Sequence, residues 1–171
     1  MLGTTQILLI ILGVVFLLFF IYYARTFFTP LGGRWYDQKD ATSPLITIDL
    51  TQFGPFVWGF AEVKGGSFQY NGWFNGKNLK LRRKDSGKEY FMGLNFPYVV
   101  YRQLDGTEMA KMEFTFDSNK QELVGKHYSQ KIEYRHQPPH DILQRGYIPP
   151  HPRVWKRHPK AFQHANKPQV G

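Results

Sequence analysis

The chain contains no cysteine, and its first 24 residues contain no charged side chain. Without cysteine there can be no disulfide, no thiol nucleophile and no lipid-modified N-terminal cysteine. The sequence also lacks a G-x-S-x-G elbow, a P-loop, a dinucleotide fingerprint and an H-E-x-x-H motif. We therefore predict a protein that is not an enzyme and that uses no cofactor and no metal.

The uncharged start is the clearest positive signal. Residues 7–23 are almost unbroken Ile, Leu, Val and Phe, and a helix needs about 20 such residues to cross a hydrocarbon core. A cleaved signal peptide would have a basic start, a shorter apolar stretch and a small-x-small cleavage site. A buried soluble helix would carry a polar stripe. We predict a retained signal-anchor, a transmembrane helix over residues 5–24, in contact with membrane lipid.

The end of this apolar segment has the residues of a membrane interface. Aromatic rings prefer the headgroup level, and a long cationic side chain can extend to it. The predicted interface residues are Tyr22, Tyr23, Arg25, Phe27 and Phe28.

The charges that flank the segment predict the side of the membrane. Arg25, Arg34 and Lys39 follow the segment, and no Lys or Arg precedes it. Because cytoplasmic flanks carry the excess of Lys and Arg, this count favours a cytoplasmic domain. An extracytoplasmic or periplasmic domain on an N-terminal anchor is the alternative.

The middle of the chain predicts β-structure. Residues 25–44 contain many turn formers and are predicted to be a juxtamembrane linker. From residue 45 onwards, apolar and polar residues alternate, as in Ile46, Ile48 and Leu50, and this period is typical of half-buried strands. We predict that residues 45–136 form a mainly-β soluble domain, an antiparallel sandwich or a small barrel.

Gly-containing dipeptides predict where strands turn. Asp105-Gly106 predicts a hairpin between strands at 98–104 and 107–116. Asn71-Gly72 and Asn75-Gly76 are only two residues apart. Two tight hairpins cannot form so close together, so one pair is predicted to be a turn and the other part of a loop.

A dense cluster of cations lies in the β-domain. Cations on one hairpin could bind the phosphates of acidic lipid headgroups, with nucleic acid the less favoured ligand. The alternative is that these side chains keep an exposed strand soluble. The candidate residues are Lys77, Lys80, Arg82, Arg83, Lys84 and Lys88.

Residues 137–171 are rich in Pro, His and cations. Such a composition buries little surface, so we predict an extended C-terminal arm. Aromatic residues between cations are typical anchors for a protein partner, and a loosely structured terminus is the alternative. The candidate docking residues are Tyr147, Arg153, Trp155, Arg157 and Phe162.

These features predict a non-catalytic, single-pass membrane protein. Its favoured role is a structural or assembly subunit, a scaffold within a larger membrane complex, with the β-domain and the arm docking to partner proteins. The alternative is a membrane-tethered binding module for an anionic ligand. A third hypothesis, a barrel that encloses an apolar ligand or a hidden enzyme, predicts a deep pocket.

Overall fold

The fold comes from a computed structural model, which describes residues 3–28, 30–37, 45–136 and 142–157 and, for residues 22, 23 and 25–28, only the backbone. The described residues form three helices and nine strands. The helices are α1 (Thr4–Phe28), α2 (Lys88–Gly93) and α3 (Tyr98–Leu104). The strands are β1 (Gly33–Asp37), β2 (Ile46–Phe53), β3 (Phe56–Val63), β4 (Gly66–Phe74), β5 (Asn78–Ser86), β6 (Thr107–Asp117), β7 (Glu122–Arg135), β8 (Ile142–Tyr147) and β9 (His151–Arg157).

Helix α1 stands apart from the rest of the molecule. Every described side chain from residue 3 to residue 21 is exposed. The segment Thr4–Ile21 is long and apolar enough to cross a membrane. The helix continues to Phe28, so the five residues predicted at a membrane interface all belong to it, while their side chains lie outside the described part of the structure.

The strands form a closed, antiparallel barrel of eight strands. Strands β1 to β7 pair in chain order, and β9 pairs with both β7 and β1 to complete the ring. Closure leaves no open edge in the ring. Of the two predicted architectures, the small barrel is therefore the one that forms, and the sandwich is not.

Strand β7 is longer than the barrel. Its first half pairs with β9, and its second half extends past the ring and pairs with β8. Strands β8 and β9 thus lie end to end along β7. Pro149 and Pro150 separate them, because proline has no N–H to offer the neighbouring strand.

Two segments outside the predicted β-domain belong to the barrel. Gly33–Asp37, predicted as linker, is β1, and His151–Arg157, predicted as part of the arm, is β9. A barrel strand needs apolar side chains only at inward positions, and in β9 the inward Trp155 is 1% exposed. The average composition of the tail therefore did not predict this strand.

The end of the barrel next to α1, called here the near end, is filled with apolar side chains. Trp35, Phe74 and Leu79 are fully buried there, and Phe116 packs edge-on against the rings of Trp35 and Phe74. Apolar and polar residues alternate along β6, as expected of a half-buried strand. Its inward residues are Ala110, Met112, Phe114 and Phe116.

The opposite end, called here the far end, carries α2 and α3. Together with Met109 they bury a second, smaller cluster against the extension formed by β7 and β8. The strand predicted over 98–104 is wrong, because this segment is α3. Val100 and Leu104 lie four residues apart on one face of α3, and their packing overrides the strand preference of the Tyr and Val side chains.

Candidate ligand site at the far end of the barrel

Charged and polar side chains replace apolar ones inside the far half of the barrel. Asp37, Asp85 and His127 are its buried polar residues, and Arg83 and Arg153 extend among them. We call this set the polar layer. The alternation that places Leu79 and Leu81 inside the barrel also places Arg83 and Asp85 there, so the period of β5 is a sequence signal that pointed to them.

Arg83 and Asp85 form a close ion pair. The guanidinium donates from Nε and Nη2 to the two carboxylate oxygens at 2.7 and 2.9 Å. The Tyr90 hydroxyl donates to the same carboxylate at 3.3 Å, and the guanidinium lies over the Phe68 ring at 4.2 Å. Burial raises the pKa of Asp85, and the charge of Arg83 opposes that shift. Arg83 Nε and Nη2 thus both donate to the carboxylate of Asp85.

Asp37 and Arg153 form a looser pair. Arg153 Nη1 lies 3.5 Å from Asp37 Oδ1 without hydrogen-bond geometry. Arg153 Nε and Nη1 and Asp37 Oδ1 are buried and make no hydrogen bond to the described residues. Burial raises the pKa of Asp37, and the charges of Arg153 and Arg83 oppose the shift. Arg153 therefore keeps donors available in an environment where unsatisfied polar groups are costly.

His127 carries no charge at neutral pH. Burial, with the cations Arg83 and Arg153 and the nearby His151, lowers its pKa to about 3. Its Nδ1 lies 3.1 Å from Ser129 Oγ, and its Nε2 makes no hydrogen bond within the described part of the chain. The polar layer thus combines two arginines, two carboxyl groups and one neutral imidazole.

A cavity of about 670 Å³ opens beside this layer. Its polar lining consists of Asp37, Arg83 and Arg153 together with Glu62 and Lys64. Its other walls are mostly apolar, and they include Leu45, Ile46, Val63, Phe68, Tyr90 and Leu94. Cavities that bind small molecules combine apolar walls with a few convergent polar groups in this way, and their volumes are about 300–1,000 Å³.

The cations predicted to bind an anion are divided between two faces. Lys80, Arg82 and Lys84 alternate on the outside of β5, Lys77 and Lys88 are also exposed, and Arg83 points into the barrel. Lys80 lies 3.7 Å from Glu113, and Arg82 lies 3.6 Å from Glu108. Carboxylates on β6 therefore offset part of the outer charge, and the structure does not bring the six cations together in one site.

The residues predicted to dock to a partner are also separated. Arg153 and Trp155 are inside the barrel. Arg157 binds the near end, where it donates to the Pro30 carbonyl and to Gln121 Oε1. Tyr147 is 49% exposed, and Phe162 lies outside the described residues. Arg153 and Trp155 therefore lie inside the barrel, Arg157 is bound at its near end, and the Tyr147 hydroxyl donates to Glu108 Oε1 at 3.3 Å, so these residues do not form one docking surface.

No group of three or more possible metal ligands occurs among the described residues. The chain matches no family model, no curated protein and no solved structure. What defines the class of this protein is therefore its own architecture, a closed antiparallel barrel behind an apolar N-terminal helix, with a polar layer and a cavity at the far end.

Proposed function

We propose that the chain is a single-pass membrane protein whose barrel binds a small amphipathic anion at the far end without catalysing a reaction. The observation that carries the proposal is Arg153, a buried guanidinium with open donors beside an apolar-walled cavity. A carboxylate or phosphate head would accept from Arg153 in a charge-assisted hydrogen bond. The apolar body of the ligand would lie against Phe68 and Val63.

The membrane anchor in this proposal is α1. Its large apolar side chains from Ile7 to Ile21 are about half to two-thirds exposed, and apolar surface in water is unfavourable by about 25 cal/mol per Å². A bilayer removes that cost. The flanking cations support a cytoplasmic position for the barrel. If the barrel is cytoplasmic, the ligand is a cytoplasmic metabolite or lipid fragment.

The test uses the full chain in lipid nanodiscs and a matched pair of probes, 4-phenylbutyrate and 4-phenylbutylamine. Calorimetry, corrected with empty nanodiscs, should detect binding of the carboxylate and not of the amine. Arg153→Gln should weaken carboxylate binding at least about tenfold, because it removes a charged hydrogen-bond donor. Arg82→Gln, on the outer face, is the control and should leave the affinity unchanged.

A second variant distinguishes a loss of ligand contacts from misfolding of the Arg153→Gln chain. Val63→Trp would fill part of the cavity and leave the arginine in place, so it should also reduce binding. If neither probe binds, or if Arg82→Gln weakens binding and Arg153→Gln does not, the proposal is contradicted. The second of these results would assign the anion to the outer basic cluster instead.

An assembly role is the second candidate function. A group of apolar side chains at the far end favours it, because Met92, Leu94, Tyr98 and Val99 are each 48–53% exposed on or beside α2 and α3. Exposed apolar patches of this kind are typical of protein–protein contacts. In this form of the hypothesis, the docking surface is formed by helices α2 and α3 at the far end. The C-terminal arm contributes mainly through residues beyond β9.

A further inference from the structure

A row of aromatic side chains crosses the outside of the barrel at the near end. Phe53 is paired with Phe56, and Phe56 is paired with Trp73, so the three lie side by side on β2, β3 and β4. They are 67%, 55% and 41% exposed. Trp58 and Phe60 continue the aromatic surface along β3, at 46% and 43% exposure. We call Phe53, Phe56 and Trp73 the aromatic row.

The aromatic row lies at the level where the chain leaves α1. The Leu31 N–H donates to Gln52 Oε1 at 2.6 Å, and Gln52 is the neighbour of Phe53. Leu31 is fully buried, and its carbonyl accepts from the Trp35 indole at 2.8 Å. Residue 31 is thus part of the barrel end.

Chain length then limits the distance between α1 and the row. Three residue steps separate Phe28, the last residue of α1, from Leu31, and a fully extended chain covers at most about 11 Å in three steps. The near end of the barrel therefore stays close to the end of α1 whatever the angle between them.

Positive charges lie beside the aromatic row, as is typical of a surface at the membrane headgroup region. Lys80 lies next to Trp73 across β4 and β5, and Lys77 is exposed in the adjoining turn. Aromatic rings next to lysines are the composition of the headgroup region of membrane proteins. A contiguous exposed apolar patch is typical of a surface that contacts a membrane or another molecule.

We propose that the aromatic row rests in the lipid headgroup region of the bilayer and so fixes the orientation of the barrel on the membrane. The proposal rests on α1 being the membrane anchor, as proposed above. The far end, with its cavity, then faces the aqueous phase. The partner of the aromatic row is lipid, and the lysines beside it favour an acidic headgroup.

Tryptophan fluorescence can test this contact directly, because Trp35 and Trp155 are buried in the barrel and Trp58 and Trp73 are exposed. The full chain is reconstituted in liposomes that contain phosphatidylcholine brominated on the acyl carbons nearest the headgroup, which quenches indoles at the membrane interface. In Trp58→Phe, the emission of Trp73 should be quenched. In Trp73→Phe, quenching should be several-fold smaller.

The control places an indole at the far end. Tyr98 on α3 is 52% exposed, so Tyr98→Trp, in a chain with Phe at positions 58 and 73, should show no quenching. Flotation of the liposomes reports anchorage separately. A chain that floats with the liposomes but whose Trp73 is unquenched overturns the inference and leaves the anchor intact, including the case in which a second copy covers the row. A chain that does not float overturns the proposed anchorage itself.

Discussion

At the scale of single residues, the ion pair of Arg83 and Asp85 is buried and held by two hydrogen bonds. Their side chains are 14% and 1% exposed. A buried ion pair is not itself strong evidence of stability, because both charges lose their hydration. Once the barrel has formed, however, each charge depends on the other. The loss of either partner leaves an uncompensated charge in the interior.

We therefore expect Asp85→Asn to lower the free energy of unfolding by about 3–5 kcal/mol. Asp49→Asn is the matched control, because Asp49 forms a similar contact with Arg34 at 2.9 Å while both side chains remain about half exposed. That substitution should change the free energy by less than about 1 kcal/mol. Denaturant unfolding of the full chain in detergent, followed by tryptophan emission, compares them. Equal losses of unfolding free energy in the two variants would contradict the prediction that the buried ion pair matters more than the exposed one.

Single residues also show which features of the structure the sequence did not predict. The six cations from Lys77 to Lys88 look alike in the sequence, yet Arg83 is inside the barrel and Lys84 outside. The two-residue alternation of β5 predicts that these neighbouring side chains point to opposite faces of the strand. Arg153 is harder to predict, because its inward position follows from the pairing of β9 with β7, and β8 lies between these two strands in the chain.

At the scale of secondary structure, one of the two Asn-Gly pairs forms the predicted turn, whereas the prediction that the other lies in a loop is wrong, because that pair is part of β4. Asn75-Gly76 does form a turn, with Gly76 at a φ of 85°. Asn71-Gly72 instead lies inside β4, where a Cβ on Gly72 would overlap the backbone oxygen of Lys80 on β5. Glycine at this position lets the two strands approach closely.

Gly72→Ala should accordingly lower the free energy of unfolding by about 1–3 kcal/mol, because the two backbones must separate. Gly146→Ala, on β8, provides the comparison, since no described atom lies within 4 Å of the added Cβ. It should change stability by no more than about 0.5 kcal/mol. Thermal unfolding of the two variants side by side gives the measurement, and a Gly72→Ala variant as stable as the natural chain would exclude the proposed close approach.

Elements differ in how far local sequence predicts them. Helix α1 and the strands near Ile46 and Ala110 follow from period and composition alone. Helices α2 and α3 have only six and seven residues, too few for a convincing period. They form because they bury Phe91, Val100 and Leu104 over the far end, a contact that no local pattern reveals.

At the scale of the whole molecule, the ring is closed by segments from the two ends of the domain. Strand β1 lies just after α1, β9 lies near the C-terminus, and the two pair through Trp35, Tyr36 and Asp37. Trp155 of β9 also packs against Phe114 and Tyr70 in the interior. The C-terminal segment is thus part of the core of the barrel.

Deletion of residues 137–171 should therefore abolish the cooperative unfolding of the barrel, because it removes β8 and β9 and opens the ring between β7 and β1. Deletion of residues 158–171 should preserve it, since the described strand pairs all involve earlier residues. Limited proteolysis and thermal unfolding distinguish the two truncations. A stable barrel after the longer deletion would show that β9 is dispensable.

The sequence by itself determined the apolar helix, the absence of thiol chemistry and the antiparallel β-character of the domain. These properties depend on composition and on periods of two or 3.6 residues, which act locally. Only the tertiary structure decided that the ring closes as a barrel, that β9 belongs to it, and that Arg83 and Arg153 meet beside a cavity. The reason is that strand pairing between distant segments depends on how their faces complement each other, and composition averaged over a segment does not record which face a side chain occupies.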